Sequence, residues 1–90
     1  MHVLIVDDEL LARNRLRVLL SECEDPAEPF VMEEAASVAQ AQDIISHSAV
    51  PVDVVLLDIQ MPGTDGFALA QAIRNMETPP AVVFVTAHAM

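Results

Sequence analysis

Ninety residues, 53% apolar and 20% charged, make one globular domain at most, and a chain this short buries only about 60–65% of the surface it exposes unfolded. Fourteen acids against four arginines and no lysine give a net charge of −10, which repels nucleic acid phosphates and argues against direct nucleic acid contact by this segment. No apolar run approaches the ~20 residues of a membrane span, no export signal follows Met1, and the single Cys23 permits no internal disulfide, so a cytoplasmic protein without membrane contact is expected.

The chain alternates short β-branched runs with segments of helical period, the signature of βαβ units and a parallel sheet. A first strand is expected over 2–6. A helix over 10–21 follows, capped by Asp8, with Ala12, Leu16, Leu19, Leu20 and Cys23 on one buried stripe. Arg13, Arg15 and Arg17 fan over its polar side and read as a solvated face. Two prolines and four acids between Ser21 and Pro29 mark a surface loop before a second strand at 30–34. Ser37 is placed to cap a helix over 38–47 that buries Val38, Ala41, Ile44 and Ile45. The third strand, 53–57, is apolar on both faces, as a central strand covered on each side should be. A third helix over 65–75 directs Phe67, Ala70 and Ile73 inward and ends near Arg74, where the helix dipole favours a cation. The fourth strand is expected at 81–85. His2, His47 and His88 read as bystanders, and Met61 as packing.

Two of the strand-like runs end in carboxylates, at Asp7-Asp8 and at Asp58. Ligands of an open parallel sheet sit beyond the carboxyl ends of its strands, so these three groups can converge although about fifty residues separate them. Each alone is adequately explained as a helix cap. Together they repel one another, and such a cluster is retained where a cation or a shared proton compensates. Hard oxygen donors favour magnesium. A carboxylate so placed can attack phosphorus to form an acyl phosphate, and Asp58, alone on its strand, is the better nucleophile, leaving Asp7 and Asp8 to hold the ion.

Three blocks then carry a resemblance: Leu4-Ile5-Val6-Asp7-Asp8-Glu9, the run from Asp53 through Asp58-Ile59-Gln60-Met61-Pro62 to Asp65-Gly66, and Val82-Val83-Phe84-Val85-Thr86-Ala87. In order and spacing they resemble the receiver domain of bacterial two-component response regulators. The segments Leu11 to Leu16 and Thr86-Ala87-His88 are most similar to regulators with a LytTR-type DNA-binding domain. The resemblance implies an α/β, doubly wound, flavodoxin-like fold across residues 1–90, and with that fold the strand order 2-1-3-4-5. It implies that Asp58 accepts a phosphoryl group from a sensor histidine kinase, that Asp8 contacts magnesium directly and Asp7 mostly through water, and that the backbone carbonyl of Gln60 is a further ligand. Thr86 is similar to the switch hydroxyl that turns toward the phosphate, and Ala87 to the small residue that keeps access open.

The sequence also departs from the family, whose lysine and aromatic switch position belong to a fifth strand, followed by a fifth helix. Met90 falls just after the fourth strand, so the chain is expected to be an incomplete receiver cut from a longer regulator, with its output domain elsewhere. Without the lysine an acyl phosphate lacks one charge-assisted contact, and phosphorylation should be weakened. The fourth strand would stand as an exposed apolar edge, so a homodimer or an element-exchanged dimer is expected. Two other readings compete. A magnesium-dependent aspartyl phosphohydrolase needs an aspartate two positions after the nucleophile, where Gln60 stands, and a lysine, so an enzyme is not expected. A non-phosphorylated interaction module with a vestigial acidic pocket would show no magnesium-dependent change near Asp58.

Overall fold

The computed structural model describes residues 1–61 and 66–85. Four strands, β1 (His2–Val6), β2 (Val31–Ala35), β3 (Val54–Asp58) and β4 (Ala81–Val85), form one parallel sheet in the order β2-β1-β3-β4. Helices α1 (Leu10–Cys23), α2 (Val38–His47) and α3 (Gly66–Arg74) connect them. This is the expected doubly wound architecture. Helix α1 packs against β1, and α2 packs with α3, the placement on opposite faces that right-handed crossovers in opposite directions along the sheet require.

The core follows from the two-residue period of the strands. Leu4 and Val6 of β1 and Val55 and Leu57 of β3, all essentially inaccessible, meet Ala41 of α2 and Leu69 and Ile73 of α3. Val38, Ile44 and Ile45 pack on its margin, and Met61 is buried in it, as their spacing and apolar character predict. Strand limits move by one residue from expectation for identifiable reasons. The Phe30 N–H is taken by Glu24 Oε2 at 2.6 Å, so β2 begins at Val31. Asp53 commits its carboxylate to the His2 N–H at 2.7 Å, and β3 runs from Val54 to Asp58, whose partner across the sheet is Val85.

Several expectations about burial are corrected. No residue of α1 is buried, and Leu19 and Cys23 of the expected stripe are exposed while Ala12, Leu16 and Leu20 are half-buried. Only one side of this helix rests on the sheet, and Cys23 is its last residue. In α3 the inward pair is Leu69 and Ile73, four apart, with Ala70 half-buried. Phe67, two positions before Leu69, points elsewhere and is 67% exposed, its ring tilted against Phe84 at a centroid distance of 5.3 Å. The cap of α1 is Glu9, without a side-chain cap bond, so Asp8 does not perform that role. His2 is no bystander to packing. Its buried ring lies with Nε2 2.7 Å from Glu33 Oε2 and Nδ1 3.0 Å from the Val50 carbonyl oxygen, at the sheet end opposite the aspartates.

Ser37 does cap α2. Its Oγ accepts the Gln40 N–H at 3.1 Å while Gln40 Oε1 accepts the Ala36 N–H at 2.8 Å, a reciprocal arrangement close to a capping box. Replacing Ser37 with Ala is expected to cost about 1 kcal/mol and to lower Tm by about 4–8 °C, read by thermal denaturation. An unchanged Tm would show that Gln40 alone sustains the helix start.

Candidate metal and phosphoryl site

Asp7 follows β1 directly and Asp58 ends β3, and because these strands are neighbours in the sheet, their carboxylates meet at its C-terminal edge. Asp7, Asp8 and Asp58 each offer a carboxylate oxygen, and these atoms lie within 4.8 Å of one another. Asp7 and Asp58 are buried and Asp8 is exposed, so the cluster has a fixed floor and an open mouth.

The two buried carboxylates are oriented alike. Asp7 Oδ1 accepts the Glu9 N–H at 2.9 Å, and Asp58 Oδ1 accepts the Gln60 N–H at 2.9 Å. Each is an aspartate bonded to the backbone two residues on, a local turn that needs only an Asp at the strand end. Asp7 is further fixed through its main chain, its N–H donating to the Ala35 carbonyl at 3.1 Å. Burial pushes the Asp7 carboxyl above its ordinary range; the Glu9 N–H opposes this, and the negative charges of Asp58, Asp8 and Glu9 add to it. A divalent cation would relieve that crowding, and three hard oxygen donors suit magnesium. The residues present therefore fit such an ion.

Gly66 opens α3 close beneath the site, where a methyl group at its Cα would meet Leu57 Cδ2 at 3.6 Å and the Asp58 carbonyl oxygen at 3.7 Å. On the other side, the Ile59 N–H donates to the Val85 carbonyl at 3.3 Å, tying the end of β3 to that of β4. Thr86, Ala87 and His88, like Pro62 to Asp65, lie outside the described residues.

Residues 3–90 match the family described as the response regulator receiver domain. The chain belongs to that family. Among the relatives of this receiver are the positive alginate biosynthesis regulatory protein of Pseudomonas aeruginosa, 47% identical over 98% of the chain and 34% of the relative, and the sensory transduction protein LytT of Bacillus cereus, 42% identical over 96% and 33%. The receiver thus spans about a third of the length of these curated relatives, and the LytT match agrees with the LytTR-type resemblance. Solved structures of similar fold include the response regulator TrrA of Thermotoga maritima in complex with Mg2+ and BeF, at a TM-score of 0.79 and 28% identity over 98% of this chain and 70% of that one. A complex of histidine kinase ThkA with TrrA matches at a TM-score of 0.75 and 28% identity, over 99% and 71%.

The receiver also shows a contact that the sequence pattern did not reveal. Arg13, expected in solvent, donates from Nε to Glu34 Oε1 at 2.9 Å and from Nη1 to the Asp7 carbonyl at 2.7 Å, and Arg17 reaches Glu34 Oε2 at 3.2 Å. The exposed face expected for these arginines holds for Arg15 alone. The available signal was Glu33-Glu34, two acids inside a strand of an otherwise apolar sheet.

Proposed function

We propose that this receiver accepts a phosphoryl group on Asp58, with magnesium held by Asp7, Asp8, Asp58 and the backbone carbonyl of Gln60. The observation that carries the reading is the convergence of three carboxylates at the ends of β1 and β3, with buried Asp58 oriented by the Gln60 N–H. Magnesium, when bound, neutralises charge on the carboxylates and on the transferred group.

The chain's own part in the transfer is nucleophilic. A carboxylate oxygen of Asp58 attacks the phosphorus of a phosphohistidine on a sensor kinase; an O–P bond forms as the P–N bond breaks, and the imidazole departs with the bonding pair and takes up a proton. Gln60 N–H keeps the Asp58 plane fixed, and exposed Asp8 leaves the mouth open to the donor. The histidine kinase is the phosphodonor in this reading, which is supported by the complex that TrrA, a regulator of similar fold, forms with the histidine kinase ThkA. Thr86 serves as the switch hydroxyl. The response passes to an output domain, DNA-binding in regulators of the LytTR type, so nucleic acid contact does not fall to this acidic segment. The setting is the cytoplasm, and no helix among the described residues is long and apolar enough to cross a membrane.

Self-association belongs to the same reading. Val83 and Phe84 on β4 and Leu10, Leu11, Val18 and Leu19 on α1 are large exposed apolar side chains, so a homodimer or an exchange of elements between chains is expected. A chain that sediments as a strict monomer at high concentration would exclude it.

Intact-mass measurement after incubation with magnesium and a small phosphodonor tests the phosphoryl step. Addition of one phosphoryl group to the chain, absent from Asp58→Asn, is the expected result. No addition to the chain or to a version extended through a fifth strand would favour a pocket without phosphoryl chemistry.

A further inference from the structure

We propose that Arg13 is a positioning residue for the acidic pocket, its guanidinium setting the aim of Asp7 and Asp8 by gripping the Asp7 carbonyl and the Glu34 carboxylate together. The inference rests on the receiver reading above and adds a residue that the strand-end carboxylates do not include.

Asp7 stands just beyond the last residue of β1, where the neighbouring strand β2 still serves its N–H. Its N–H still reaches the Ala35 carbonyl at 3.1 Å, next to Glu34. Its carbonyl is served by Arg13 Nη1 at 2.7 Å. That carbonyl belongs to the peptide plane joining Asp7 to Asp8. Holding it constrains the rotation that directs the Asp8 side chain, which makes no hydrogen bond among the described residues.

Arg13 is itself immobilised. Its side chain is 14% exposed, Nε donates to Glu34 Oε1 at 2.9 Å, and Arg17, one helical turn later, holds the other Glu34 oxygen at 3.2 Å. One planar fork therefore joins α1, the end of β2 and the end of β1. Lysine, a point charge with a single ammonium, does not reproduce two bonds along fixed directions.

Charge and geometry make opposite predictions here. Arg13 is a cation beside a site for a cation, so if it acted by charge alone, its removal would strengthen magnesium binding. If it positions the carboxylates, removal weakens binding, in the way that partners behind metal ligands commonly matter by about 10–100-fold.

The test is calorimetric titration of magnesium alone into the 90-residue chain, with metal-free amide shifts of Asp8 and Ile59 recorded by NMR. Arg13→Gln and Arg13→Lys are expected to weaken magnesium binding by about 10–100-fold and to displace the Asp8 amide before metal is added. Glu34→Gln, which leaves the Asp7 contact in place, should weaken it less. Ile45→Val, on the core margin at α2, should lower Tm with binding unchanged, separating positioning from stability. Binding by Arg13→Gln equal to or tighter than wild type, or an equal loss in Ile45→Val, overturns the proposal. A wild-type chain that takes up no magnesium sinks the magnesium-dependent phosphoryl reading instead, and the metal-free Asp8 amide then decides on Arg13: displaced in Arg13→Gln supports positioning, unmoved overturns it.

Discussion

Asp7→Asn is expected to raise the melting temperature of the metal-free chain while removing most of its magnesium affinity. Burial, with the adjoining charges of Asp58, Asp8 and Glu9, raises the Asp7 carboxyl above its ordinary range, so the folded state binds its proton more tightly than the unfolded state does. The stability this provides is present below the unfolded value and is lost as pH rises through the folded one, so the Asp7 carboxyl burdens the fold as pH rises. Asparagine keeps the oxygen that accepts the Glu9 N–H at 2.9 Å and removes the charge. A gain on the order of 1 kcal/mol corresponds to about 4–8 °C in a domain of this size. Magnesium affinity should fall by about 100-fold or more, since a ligand carboxylate counts for at least as much as its supporting partners. Metal at 100 times its Kd stabilises wild type by about 2.7 kcal/mol, so the order of the two melting temperatures should reverse when magnesium is added. Thermal melts of both proteins, with and without the ion, check this; an Asp7→Asn variant less stable than wild type in chelator would contradict the charge-crowding account.

Leu57→Ala should produce the largest loss of stability. Leu57 is completely inaccessible, sits one residue before Asp58 and lies beneath the start of α3. Truncation of such a leucine costs about 2–5 kcal/mol, the transfer term plus the cavity left behind. A 90-residue domain has only about 5–13 kcal/mol in total, so the variant should lose a large fraction of its margin in urea unfolding. Asp58 should lose its fixed position with it, and magnesium binding should weaken alongside. A cost below about 1 kcal/mol would mean that the inner face of β3 is not packed as described.

The acidic site was legible because its ingredients are local. A carboxylate after each of two apolar runs, with a backbone N–H two residues later, already specifies two oriented aspartates, and parallel neighbours β1 and β3 do the rest. The capping of α2 was legible for the same reason, since Ser37 and Gln40 lie within one helical turn. Burial of α1 and of Phe67 was not legible. Helical periodicity says which side chains share a stripe, but not whether another element covers it, and α1 touches the sheet along one side only.

The succession of strands and helices along the chain, the α/β class and the strand-end aspartates that converge were determined by the sequence itself, through periodicity, capping residues and the carboxylates that end two apolar runs. The tertiary structure decided which of those residues meet and what braces them. Arg13 lies 21 positions from Glu34, and no local pattern pairs them. They come together because β2 lies beside β1 and α1 crosses back over their ends, so the contact is a property of the packing. Periodicity along one segment cannot express a bond whose two ends are set by different segments.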